Sequence, residues 1–204
     1  MTDRATAALI GGVALLERAM AYTLGTLELV TPTVLGRSTP CAEWDVRALL
    51  DHLADSLDVL CDAADVGLIG DARSGPERET ADQLVSAVRT RACRLLGAWV
   101  HADEPDVVAV YGRTLSRTIV ASTGAVEVAV HGWDLARGCG HDRAIPAALA
   151  EDLLHIASLV VTHRDRPHRF GYPVAVPTDA TPSDRLVAFL GRDPRPTGGP
   201  AQSW

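Results

Sequence analysis

Glu127 and His131 stand four residues apart in the apolar run EVAVHGWDLARG, and Asp134 follows three residues later. At about 100° per residue on a helix the three fall within roughly 60° of one another, so carboxylate, imidazole and carboxylate share one face. The neighbours Val120, Val126, Val128, Ala129 and Val130 are spread around the circumference, which marks most faces of this helix as buried. A buried carboxylate without a partner is expensive, so Glu127 wants a cation. A divalent ion would satisfy both Glu127 and His131. Asp134, one turn on, suits an outer partner that fixes the imidazole tautomer, or else a solvent-facing charge near the helix end.

The chain carries its own control, because the ExxxH spacing recurs in EDLLH. There Glu151 and His155 lie opposite a stripe of Leu149, Leu153, Ile156 and Val160, which makes them a solvated pair. Two ligands on one helix do not complete a site, since catalytic zinc centres use three protein ligands and an open position. Among the other histidines, His101, His141, His163 and His168 fall at helix ends or near arginines and read as exposed. His52 alone sits mid-helix in an apolar segment, on the flank of the leucine stripe, and is the candidate third ligand. From these patterns two readings stand side by side: a metal site, or a satisfied core histidine beside a buried hydrogen bond between Glu127 and His131.

The elements that must position these groups are helical. Apolar spacing predicts helices over about 4–29, 42–66, 79–101, 115–137 and 146–163, the third opening on Glu79, the fourth ending at Gly138 and the fifth opening on Pro146. Trp44 is expected to staple the start of the second helix, with Asp45 in its first turn, and Trp133 to pack against a neighbouring helix. DVVAVYGR, 106–113, has the β-branched content of a short strand or extended link. After 166 come an extended segment, a short helix near 182–190 and a disordered end. The fold class is all-α: an up-and-down four-helix bundle over 1–165 with a short extended and helical appendage, 166–204, packed on it.

Composition narrows the partners. The 204 residues, 47% of them hydrophobic, suit one substantial core. With 19 basic residues against 26 acidic the net charge is −7, and every basic residue is an arginine. No basic run favours nucleic acid or an anionic membrane, so a small-molecule ligand is expected. The run ATAALIGGVALL resembles a signal-peptide core, but Glu17 and Arg18 interrupt the path to AMA, and no apolar run reaches the roughly 20 residues of a membrane span. Cys41, Cys61, Cys93 and Cys139 lack CxxC spacing and read as reduced and mostly buried, which points to the cytoplasm. Cys41 beside a helix start has the makings of a nucleophile, though a small buried residue is the plainer reading. Arg113 and Arg117 are candidates to receive an anionic substrate or the acidic parts of a thiol cofactor. The oligomeric state is left open between monomer and homodimer.

The segments TPCAEWDVRALLDHL and EVAVHGWDLARGCG, followed by VAVPTDATPSDRLVAFLGRDP, resemble the actinobacterial family related to the metal-binding N-terminal domain of mycothiol-dependent maleylpyruvate isomerase, one of the DinB-like bundles. The similarity runs from the first helix to about residue 194. It implies a divalent metal, usually zinc, on His52, Glu127 and His131, and chemistry that uses mycothiol or a similar thiol as co-substrate. A metal with an open position holds a thiol as thiolate near neutral pH, ready to add to an electrophile for S-transfer or, reversibly, for isomerisation. The same pocket is compatible with thiol-independent cyclisation, elimination or hydrolysis, and a non-catalytic binding or stress-associated protein is a third possibility. The isomerase is expected to carry a further C-terminal domain that this chain is too short to hold.

Overall fold

The computed structural model of the chain describes residues 2–41, 44–65, 67–69, 80–100, 107–110, 113–167 and 169–195, with backbone alone for 2–10, 68–69, 100, 110 and 113. The expected disordered end from 196 onward, Glu79, His101 and His168 lie outside the described residues. Six helices are present among those described: α1 (Thr2–Thr26), α2 (Val46–Asp65), α3 (Ala81–Val100), α4 (Arg117–Gly138), α5 (Ala147–Val160) and α6 (Pro182–Phe189). The first four form the packed core, and α5 and α6 extend it.

Their ends follow from local chemistry. The Asp45 side chain accepts the Ala48 N–H at 2.8 Å, so Asp45 caps α2 and does not lie within its first turn. Thr80 and Gln83 cap α3 reciprocally, backbone N–H to side-chain oxygen in both directions. Thr181 accepts the Asp184 N–H and Pro182 occupies the first position of α6. The end of α4 departs from expectation. Gly138 is still helical, and the left-handed residue is Gly140, at φ 87°. Gly140 N–H bonds to the Arg137 carbonyl and His141 N–H to that of Ala136, the paired bonds that close a helix on a glycine. Gly138 instead admits close approach of Val46 and Thr39.

Helix α4 is buried on nearly every side, as its unbroken apolar circumference requires. It lies against α1, with Gly132 facing Thr23, whose hydroxyl donates to the Val128 carbonyl at 2.8 Å. On another side Gly124 faces Leu60 of α2. Gly12 meets Thr118 and Ser122, whereas Thr23 meets 128 and 132, so α1 and α4 run parallel. Val46 meets Gly138 while Leu60 meets Gly124, so α2 runs antiparallel to α4.

The predicted strand near 106–113 is part of a three-stranded sheet. β1 (Leu68–Ile69) pairs parallel with β2 (Val107–Val110), which pairs antiparallel with β3 (Arg113–Ser116), Val108 opposite Leu115. β1 follows α2, β2 follows α3 and β3 leads into α4. The sheet therefore ties the ends of α2 and α3 to the start of α4. It follows that α2 and α3 run in the same direction, so alternation within the bundle is not strict. The opposite end of the bundle, where α2 begins and α4 finishes, is left for the site.

Cys61 and Cys139 are buried and Cys41 half-buried, while Cys93 is exposed, contrary to a mostly buried set; none of the four is in a disulfide. Burial pushes the Cys61 thiol up to about 11, which keeps it protonated and inert. Among the described residues no helix is long and apolar enough to cross a membrane.

Candidate metal centre

His52 projects from the second turn of α2, and Glu127 and His131 from successive turns of α4, at the point where the two helices pass. His52 Nε2 is 2.8 Å from Glu127 Oε1, and His131 Nε2 is 3.1 Å from the same oxygen. One donor atom from each of the three lies within 4.8 Å of the others. Residues 75 positions apart in the chain thus meet in one cluster. Two imidazole nitrogens and a carboxylate oxygen form a donor set suited to zinc. The side chains of His52 and Glu127 are 31% and 35% exposed, so the cluster opens on one side. The helical offset of His52 from the leucine stripe is what turns it toward α4.

Behind His131 lies a second layer. Asp134, fully buried, has Oδ2 3.0 Å from His131 Nδ1. The same Oδ2 accepts from Arg192 Nη2 at 2.8 Å, and Oδ1 from Arg192 Nε at 3.3 Å. Asp134 is therefore not a solvent-facing charge near the helix end: it is buried against the His131 imidazole. Burial would raise its pKa, but the Arg192 guanidinium and then His131 outweigh that and hold the carboxyl below its ordinary value. An ionised Asp134 only accepts, so His131 Nδ1 carries a proton.

Glu127 is governed by the same competition. Burial opposes its charge, yet the charge on His131 and hydrogen bonds from His131 and His52 prevail, and its carboxyl is held well below the usual range. For His131 burial disfavours the cation, but Glu127 and Asp134 flank it and raise it to about 9. Raised that far, His131 keeps its second proton at neutral pH and stands as an imidazolium between the two carboxylates.

Trp44 completes this wall. Its ring centroid is 4.2 Å from that of His52 and 5.7 Å from that of His131. A cavity of about 530 Å³ opens beside the cluster, walled on the far side by Pro167, Arg169, Phe170 and the 190–192 segment. Two backbone segments cross there at Gly171 and Gly191, the latter at φ 87°, and a Cβ on Gly191 would fall 2.5 Å from the Gly171 Cα. Arg166 clamps the crossing by donating to the Gly171 and Phe189 carbonyls.

The other sequence candidates are placed elsewhere. Arg117 is buried near the sheet, about 15 Å along α4 from Glu127 at 1.5 Å per residue, with its guanidinium over Trp99 at 4.9 Å. It does not line the cavity, and the side chain of Arg113, also in the sheet, lies outside the described residues. Trp133 is buried under Arg137, as a packing residue should be. Glu151, His155, His141 and His163 are exposed. Cys41 is half-buried, lines the cavity and forms a second metal-capable group with His131 and Asp134. The residues missed in the sequence are Arg192, Arg169 and the cavity role of Trp44. Arg192 stands in the motif VAFLGRDP, which carried the family resemblance without revealing that its arginine turns inward.

The family model described as the mycothiol maleylpyruvate isomerase N-terminal domain matches residues 16–136. Two uncharacterized proteins of Mycobacterium tuberculosis, from strains CDC 1551 and H37Rv, are each 27% identical over 188 residues, covering 88% of this chain and 96% of the relative. Crystal structures of the mycothiol-dependent maleylpyruvate isomerase and of a mutant of it share the fold at TM-scores of 0.62 and 0.60, with 20% identity and 87% of each chain covered. That coverage runs against the expectation drawn from length: the match extends over most of the isomerase chain.

Proposed function

Because the chain belongs to the family of the mycothiol maleylpyruvate isomerase N-terminal domain, we propose that it is a metal-dependent enzyme that uses a low-molecular-weight thiol, mycothiol or a close equivalent, for S-transfer to, or isomerisation of, a small electrophile. His52, Glu127 and His131 are the ligands of a divalent ion, zinc by the donor set. The convergence of their three donor atoms at the mouth of a cavity carries this reading. When bound, the ion supplies a coordination position at which a thiol is stabilised as thiolate near neutral pH.

The protein's own groups do the rest. Asp134 keeps the proton of His131 on Nδ1 and so directs the Nε2 lone pair at the ion; Arg192 keeps Asp134 ionised. Trp44, Phe170 and Leu190 make the cavity wall apolar enough to limit water around a charged nucleophile. Arg169 takes the role first given to Arg113 and Arg117. It lines the cavity and is exposed, and its carboxylate neighbour, Asp165, is 3.7 Å away, beyond hydrogen-bond reach. It is thereby available to an anionic group of substrate or thiol. The bundle up to about 165 carries the ligands, and the segment from 166 onward supplies the opposite wall.

The test is metal content followed by turnover. Protein purified without added metal should hold about one equivalent, absent from His52→Ala, and should consume an electrophile such as a maleyl or epoxide compound only when mycothiol is present. Turnover without thiol would move the protein to metal-assisted elimination, cyclisation or hydrolysis. Metal binding with no turnover of any kind would favour the non-catalytic alternative.

A further inference from the structure

We propose that Trp44 is a positioning residue for the His52 imidazole, holding the ring in the plane from which Nε2 reaches the centre; this rests on the metal-binding reading above. The two imidazoles are secured differently. His131 is fixed through both nitrogens, Nδ1 by Asp134 at 3.0 Å and Nε2 by Glu127 at 3.1 Å. Among the described residues, the hydrogen bonds of His52 both use Nε2, to Glu127 at 2.8 Å and to Ser56 at 3.4 Å. A ring tethered through one nitrogen keeps freedom about its terminal torsion, which is broad and two-fold.

Trp44 removes that freedom by packing. Its ring lies 4.2 Å from His52 at an interplanar angle of 39°, and it also contacts His131, so the indole spans the two imidazoles from the cavity side. The backbone that carries the indole is anchored: the main-chain N–H of Trp44 donates to the Cys41 carbonyl at 2.9 Å, and the Trp44 carbonyl accepts from the Thr39 N–H and hydroxyl at 3.2 and 2.9 Å. The next residue, Asp45, caps the helix that bears His52. Ring and imidazole are therefore referred to the same helix end, the indole two residues before α2 and the imidazole in its second turn. A flat aromatic face at this position constrains ring orientation in a way an aliphatic side chain of similar bulk cannot.

The experiment compares metal-free full-length protein with W44F, W44L and W44M by zinc titration against a chelator. W44F keeps a flat face and should stay within about threefold of the unsubstituted protein. W44L and W44M should bind zinc about tenfold more weakly, the lower range for loss of an outer-shell support. In a D134A background W44L should cost the same factor, because its effect passes through His52 and not through the His131 support. Independently of any metal, long-range nitrogen NMR of the metal-free proteins should show one His52 tautomer in the unsubstituted protein and W44F, and a mixture in W44L. Zinc affinity and tautomer unchanged in W44L and W44M overturns the proposal. If the unsubstituted protein binds no zinc, the metal reading falls and the tautomer comparison alone decides for or against Trp44.

Discussion

Asp134 and Arg192, 58 residues apart, form a two-pronged ion pair in the protein interior, with contacts of 2.8 and 3.3 Å. The pair joins the segment after α6 to the helix that carries two of the three metal-ligand candidates. Removing Arg192 would leave a fully buried carboxylate with His131 as its remaining charged neighbour. Arg192→Ala is expected to destabilise the protein by about 3–5 kcal/mol, read by denaturant unfolding. Asp134→Asn should do less to the fold and lower zinc affinity roughly 10- to 100-fold. Equal zinc affinity in Asp134→Asn would remove the outer-partner role.

The duplicated ExxxH spacing supplies an internal control for the centre. His52→Ala and Glu127→Ala should each abolish stoichiometric zinc binding, measured by elemental analysis after gel filtration. His155→Ala and Glu151→Ala, on the exposed face of α5, should retain it. Loss of zinc in His155→Ala would place the centre elsewhere.

Metal-free protein should have a narrow stability optimum. His131 is raised from its ordinary 6.5 to about 9. Its contribution is complete below pH 6.5 and disappears as pH rises through 9. Glu127 and Asp134 are both lowered, from 4.5 and 3.8. Their contribution is present above those values and lost as the solution becomes more acid. Thermal unfolding in chelator should therefore peak between about pH 5 and 6.5. Zinc competes with the Nε2 proton of His131, so zinc affinity should climb with pH across 6.5 to 9 and the added stability with it. A metal-free protein more stable at pH 9 than at pH 6 would contradict the imidazolium between two carboxylates.

The contact between α1 and α4 depends on the missing side chain of Gly132. A Cβ there would lie 3.1 Å from the Thr23 Cβ and 3.2 Å from its Cα, neither of which can swing aside. Gly132→Ala should cost about 1–3 kcal/mol in urea unfolding. Because His131 is adjacent, the same variant should weaken zinc binding; an unchanged fold and affinity would show that α1 yields without consequence.

Arg169 and Arg117 offer a paired test of substrate charge. Arg169→Ala should raise KM for anionic electrophiles several-fold with little change for neutral ones. Arg117→Met, at the sheet end, should leave KM alone and alter stability only. The reverse pattern would return the anion role to the sheet end of the bundle.

Much of this protein is visible in its residue order. The helical periods of α1 to α6 and the difference between a buried and a solvated ExxxH follow from spacing, because helix geometry converts sequence separation into direction at a fixed angle. Glu127, His131 and Asp134 were therefore legible as a group: they share one helix. Boundaries were less exact at the end of α4, where Gly138 serves close packing against Val46 and Thr39 and the turn falls to Gly140.

What spacing leaves open is everything that depends on how separate elements meet. Whether His52, on the flank of its stripe, looks outward or toward α4 depends on the angle and rotation of α2 against α4, set by Leu60 on Gly124 and Val46 on Gly138. Arg192 resembles any arginine in a polar tail until the backbone crossing at Gly171 and Gly191 turns it inward onto Asp134. The parallel course of α2 and α3 comes from a sheet of ten residues whose strands pair across distant parts of the chain. Local periodicity constrains directions within one helix, whereas contacts between helices and loops arise from the packing of all of them at once.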